Sequence, residues 1–289
     1  MQLTSRDDVD RMRSVLRALL DDTAAFVNEA GPYPAPGSIA DREQGDGGDA
    51  EQTEAAYLQG NLLFESAVDH VFALTRLLVA PVTSVAPWTC VRGGLEAAAI
   101  ACWLMADSIS PEERISRSFA NRYEGLSQQV KLARAIGDTP GCEKTLRRID
   151  EVEAKARSLG YPVVVNNKGK RNGIGQQMPQ TTSLIGHVLG EEEFYRILSA
   201  MAHGHNFALI RLGFFAPDAS KPTLLKKGMN SDAAGILLAT SADIVAKPIW
   251  ARSVLLGHDT GRLGSLLLAR YREIGLADSR HFWANGGPN

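Results

Sequence analysis

The chain has 289 residues, 44% hydrophobic and 22% charged, with a formal net charge of −2. That balance fits a globular fold and excludes a globally basic nucleic-acid binder, leaving room only for a local basic patch. Three cysteines, Cys90, Cys102 and Cys142, with no CxxC pair exclude a disulfide scaffold and a zinc ribbon.

Residues 1–13 show no apolar core behind a basic flank, so no secretory leader is expected. Met12, Val15, Leu16, Leu19, Leu20 and Val27 recur at three and four and predict a helix over 6–30. The stretch 31–50 is rich in Pro, Gly and Asp and reads as a loop or disordered linker. A long helix is expected over 51–80, punctuated by Pro81 and Pro87, and an apolar helix over 88–107. Arg76, Pro81, Arg92 and Glu96 interrupt the apolar stretch 71–107, so a membrane span is not expected and a cytoplasmic setting is.

Ser110-Pro111-Glu112-Glu113 is a helix start: Ser caps, Pro suits the first turn, and Glu113 completes a capping box. That helix should end at Gly137, and the next, 140–159, at Gly160. Residues 160–180 read as a brief extended piece, PVVV, and a basic, Gly-rich loop. Helix resumes over 182–188, breaks at Gly190, and is expected to run on from Glu191 to Gly213. A loop over 216–228 and helices over 230–256 and 260–275 complete the pattern. The predicted class is all-α, a bundle of seven to nine helices. Its divisions are an N-terminal helix and linker (1–50), the bundle (51–278) and a frayed tail (279–289).

Several chemistries lack their residues. The chain has no P-loop, no GxSxG and no HExxH, and Gly173-Ile174-Gly175 lacks the third glycine of a dinucleotide fingerprint. Glu-x-x-His, the repeated ligand pair of di-metal bundles, is absent too, and no metal or cofactor is expected.

The chemistry-bearing segment is 191–205. At about 100° per residue, Arg196 and His203 lie about 20° apart on one helical face, with Ser199 between them. Phe194, Ile197, Leu198, Met201, Leu209 and Leu212 supply the apolar side. Arginine forks onto phosphate oxygens and histidine moves protons near neutrality, which suits metal-independent cleavage of an RNA phosphodiester. The bland reading is an arginine on a solvated face and a half-buried histidine. His205 would lie about 200° from His203 on an unbroken helix, so the two could share a metal only if the helix broke at Gly204. Arg92 and Glu96, at i and i+4 on an apolar helix, read as an ion pair, structural or facing the Arg196–His203 cleft. Lys168, Lys170 and Arg171 read as a solvated loop or as phosphate contacts. Asp69-His70 and His187 read as packing or surface groups, and Trp88, Trp103 and Trp250 as core.

Arg196-x6-His203 within an all-α chain resembles the Arg-(four to six)-His motif of the HEPN superfamily. The run Tyr195-x-x-Leu198-Ser199-x-x-x-His203, with Arg92-x-x-x-Glu96, Trp103-Leu104 and Glu113-Arg114 before it, resembles a bacterial HEPN-like subgroup over residues 60–215. The resemblance implies a HEPN-like core, a homodimer and ribonuclease activity in defence or stress response. His203 would act as acid/base, Arg196 and Ser199 beside it, and Arg92, Glu96, Tyr195 and His205 as the supporting cleft. RNA or a nucleotide would be the ligand, and an antitoxin-like protein a partner. Catalytic members usually carry a polar residue after the arginine; here it is Ile197. A non-catalytic module that binds a nucleotide, RNA or protein stands as the alternative, with an unrelated all-α enzyme holding its site inside the bundle as the third reading.

Overall fold

A computed structural model describes residues 6–45, 49–79, 83–215 and 226–276. The frayed tail expected over 279–289 and most of the loop expected over 216–228 lie outside the described residues. Eleven α-helices are present among the described residues. They are α1 (Arg6–Ala30), α2 (Ile39–Gly45), α3 (Ala50–Leu77), α4 (Ala86–Leu104), α5 (Pro111–Ala135), α6 (Thr139–Ser158), α7 (Thr181–Leu189), α8 (Glu192–Ala202), α9 (Asn206–Ala208), α10 (Ser231–Leu256) and α11 (Thr260–Ile274). Two short antiparallel pairs accompany them: β1 (Val163–Val165) with β2 (Arg171–Ile174), and β3 (Phe214–Phe215) with β4 (Lys226–Lys227). The all-α class is therefore what the chain adopts.

Local signals set most boundaries. Ser110 Oγ accepts from Glu113 N at 3.2 Å, so α5 starts at the expected cap with Pro111 in its first turn. Asn230 and Asp259 cap α10 and α11 in the same way, accepting from Ala233 N (2.7 Å) and Arg262 N (2.9 Å).

The main core is built round α10, which packs on α1, α2, α3, α4 and α11. Leu237, Leu238, Ile244, Val245 and Ile249 on α10 are fully buried. This helix is long and apolar enough to cross a membrane by length and composition, but 72% of its most apolar window is buried inside the fold. Pro248 sits within it and removes one backbone donor from the helical ladder. Close helix approach is possible at Gly93 and Gly94 of α4. A Cβ there would lie 2.6 Å from the His70 ring and 3.2 Å from Ile244. Trp88 and Trp103 are buried and Trp250 is partly buried, in agreement with a core role. His70 is half-buried and His187 exposed.

A second, smaller core joins α5, α6 and β2 through Phe119, Leu126, Val130, Ile149, Val152 and Ile174. Here the expected loop over 160–180 is corrected: it contains the β1–β2 hairpin, with Val163 opposite Ile174 and Val164 opposite Gly173. Ile174, fully buried against α5, is the reason this strand docks.

The expectation for 31–50 is also corrected in part. Residues 39–45 form α2 rather than loop, and Ala40 is fully buried. Glu43 on α2 pairs with Arg114, whose side chain is 0% exposed. Arg114 Nε and Nη2 donate to the two Glu43 oxygens at 2.9 and 3.1 Å, Nη1 donates to Leu104 O (2.7 Å) and Nη2 also to Ala106 O (2.9 Å). Tyr57 on α3 also donates to Glu43. A charged partner with no sequence neighbour to announce it draws this segment onto the bundle.

Candidate functional site

The helix expected to run from Glu191 to Gly213 is interrupted. α8 ends at Ala202, α9 takes up three residues, and a π-helical turn, Leu209–Gly213, follows. The cause is Gly204, at φ +69. Gly204 N donates to Met201 O (3.2 Å) and His205 N to Ala200 O (3.0 Å), the two bonds of a Schellman stop. The break falls after His203, not before it. His203 N still donates to Ser199 O at 3.0 Å, so His203 keeps helical register as the cap residue. Arg196, Ser199 and His203 therefore stay on one line of α8, as their spacing requires.

The stop also moves His205. Instead of lying across the helix from His203, it follows the left-handed Gly204, and the two imidazole rings stand 6.2 Å apart. The separation of about 200° held only for an unbroken helix; the helix breaks at Gly204, the condition under which the two side chains could share a site. Both histidines are exposed. Among the described residues, no group of three or more His, Cys, Asp or Glu is placed to hold a metal ion. Phe207, 61% exposed, stands edge-to-face with His205, their ring centres 6.1 Å apart. Ile197 and Ile210 are exposed as well. The expectation of Ile197 on the packed side is corrected; Phe194, Leu198 and Met201 do face the core.

Arg196 is exposed and its Nη2 donates to Glu192 Oε1 at 2.7 Å, one turn earlier. The ribonuclease reading expects Arg196 and His203 exposed and unpaired with carboxylates; Arg196 is exposed but is paired with Glu192. Arg196 borders an open cleft of about 670 Å³ that Glu191, Glu192 and Glu193 also line, and the local field there is acidic.

Arg92, Glu96 and Tyr195 are brought together. Arg92 Nε donates to Glu96 Oε1 at 2.9 Å, and Tyr195 OH donates to the same oxygen at 2.7 Å. The Arg92 guanidinium lies 5.7 Å from the centre of the Tyr195 ring. Burial acts against the Arg92 charge, but its bonds to Tyr195 and Glu96 outweigh it and hold Arg92 above its ordinary pKa. Burial, then the Glu96 carboxylate, raise the Tyr195 phenol, so it stays protonated as a donor. The cluster ties α4 to α8 through Tyr195. Arg92 and Glu96 are spoken for by this residue rather than by Arg196 or His203. Ser199, half-buried, lies one turn beyond Tyr195 on α8.

The basic hairpin tip lies on other elements. Asn166 Oδ1 accepts from Lys168 N (2.9 Å) and Lys170 N (3.0 Å), which shapes the turn and leaves both lysines exposed. Arg171 is not a free phosphate ligand: it forms ion pairs with Asp150 (3.1 Å) and Glu153 (2.9 Å) on α6.

Two features escaped the sequence reading. Phe207 became part of the histidine corner only because the helix stops at Gly204. Lys131, Arg134 and Tyr123 on α5 line a groove with Lys170 and Arg171. The i,i+3 spacing of Lys131 and Arg134 was the signal available for it. In comparisons with protein-family models, with curated proteins and with solved structures, the chain has no match in any of the three.

Proposed function

We propose that this chain is a HEPN-like, metal-independent endoribonuclease of the cytoplasm, acting as a homodimer. The observation that carries the reading is the exposed corner at the end of α8, where His203, the cap of the helix that bears Arg196, and His205, just past the Gly204 stop, have ring centres 6.2 Å apart. Imidazole at such a corner takes the proton from a ribose 2′-hydroxyl, and that oxygen attacks the adjacent phosphorus. The P–O5′ bond breaks, and the departing 5′-oxygen takes a proton from a second imidazole. The products are a 2′,3′-cyclic phosphate and a 5′-hydroxyl. Arg196 stabilises the extra negative charge on the phosphorane oxygens.

The Glu192 pair does not block this role. An exposed i,i+4 pair is worth only about 0.3–0.5 kcal/mol, less than a charge-assisted fork onto phosphate. Exposed Phe207 beside His205, with exposed Ile210 one turn on and Ile197 earlier on α8, supports a seam with a second copy of the chain.

A second reading, a non-catalytic module that binds a nucleotide, RNA or protein, is favoured by Ile197 after Arg196; the acidic cleft beside Arg196 repels a polyanion and, within that reading, suits a protein partner at this face. The test is a pool of labelled RNAs in EDTA, with wild type, Arg196→Ala and His203→Ala, each checked for folding. Cleavage by wild type alone, leaving cyclic phosphate ends, is the expected result. No cleavage by the folded wild type refutes the ribonuclease reading and leaves the binding module. Light scattering of wild type and Phe207→Glu tests the seam: a dimer that becomes a monomer is expected.

A further inference from the structure

Many arginines in this chain already face a carboxylate, as Arg92, Arg114, Arg117, Arg157, Arg262 and Arg270 do. Three cations at one groove of the α5–α6 lobe depart from that pattern, although Arg114, Arg117 and Arg157 of the same helices follow it. Lys131 and Arg134, near the end of α5, enter no ion pair among the described residues, and neither does Lys170 at the tip of the β1–β2 hairpin. All three are exposed, and all three line one open groove of about 340 Å³ between α5, α6 and the hairpin. Arg171 lines it too, held by Asp150 and Glu153. Tyr123 contributes a wall. Its OH donates to Arg171 O at 2.9 Å, which positions the ring beside the cations. Leu146, 39% exposed, adds apolar surface.

Uncompensated cations lining a groove with an aromatic ring and exposed apolar surface are what single-stranded nucleic acid requires: charge for the phosphates and a flat face for a base. The volume sits at the low end of small-ligand sites, about 300–1,000 Å³, room for one nucleotide at a time along a strand. The chain's net charge of −2 gives no general attraction to a polyanion, so such binding has to come from a local patch of this kind.

We propose that this groove binds the phosphodiester backbone of a single strand. Lys131, Arg134 and Lys170 contact phosphates and Tyr123 meets a base. That the strand is RNA rests on the ribonuclease reading above; the groove itself does not.

The test is fluorescence anisotropy with a labelled 12-residue oligouridylate and its deoxy counterpart, in EDTA, between about 50 and 200 mM salt. Lys131→Glu/Arg134→Glu/Lys170→Glu changes only exposed side chains, and its melting curve is checked against wild type. The expected result is at least a tenfold loss of affinity, with the slope of log K against log salt reduced by about 2, at about 0.7 per phosphate contact on a single strand. Tyr123→Leu lowers affinity several-fold and leaves that slope unchanged. Unchanged binding by the triple variant overturns the proposal. So does poly-glutamate competing as well as the oligonucleotide, or no binding by wild type. Binding of the deoxy strand alone overturns RNA as the source. His203→Ala separates the two readings. Binding without cleavage in the wild type refutes the α8 site and leaves the groove; cleavage with full binding by the triple variant refutes the groove alone.

Discussion

Glu43→Ala removes the only carboxylate that faces the fully buried Arg114 side chain in the described structure. Two N–H donors of Arg114, at 2.9 and 3.1 Å, lose their acceptor, as does the Tyr57 hydroxyl. The bonds from Arg114 to Leu104 O and Ala106 O remain, so the guanidinium stays held inside while its charge is uncompensated. Breaking a buried pair on one side costs about 3–5 kcal/mol, a large part of the roughly 5–15 kcal/mol that holds a domain folded. For a chain of 289 residues the melting temperature should fall by roughly 5–8 °C. Urea denaturation followed by circular dichroism measures the loss directly. Glu43→Leu/Arg114→Met, which removes both charges, should recover much of it, because an apolar pair of similar volume often replaces a buried ion pair at little cost. A loss below about 1 kcal/mol for Glu43→Ala would refute the reasoning. It would mean that α2 does not dock and that residues 31–50 behave as the loop their composition describes.

Three further outcomes are expected. Tyr195→Phe removes the 2.7 Å bond to Glu96 and should cost about 1.5 kcal/mol in urea denaturation; no loss would mean the α4–α8 tie is made by packing alone. Gly204→Ala meets no atom within 4 Å but is forced to φ +69, so it should cost about 1 kcal/mol with Gly204→Asn milder; equal stability of Ala and Gly would rule out the left-handed stop. Burial first, and then the neighbouring Arg252 charge, hold the His258 pKa below its ordinary value. Its folded pKa is thus below its unfolded one, so the stability tied to the neutral ring is present above the unfolded value of about 6.5 and is lost as pH falls through the lower folded value. The urea midpoint should fall between pH 7 and about 5 in wild type and change less in His258→Gln, and parallel curves would refute the assignment.

Much of the helical framework is legible in the sequence because its signals are local. The apolar period over 6–30 yields α1 at the same limits, and Ser110-Pro111 with Glu113 starts α5 where the capping box stands. Gly137, Gly160 and Gly190 end helices as their positions imply, each at positive φ. Arg92 and Glu96 also pair as their spacing says, one turn apart. Each of these depends on residues within a turn of one another. The rest depends on partners far apart in the chain. Tyr195 meets Glu96 across 99 positions and Arg114 meets Glu43 across 71. The β1–β2 hairpin docks because Ile174 finds a vacancy between α5 and α6. His203 and His205 share a corner because a Schellman stop won over continued helix, a choice the flanking apolar residues do not announce. By itself the sequence determined most of the helical segments and which residue types are available for chemistry. Only the tertiary structure decided which of those residues meet, because a buried charge or an apolar strand is satisfied by whatever the packing places beside it.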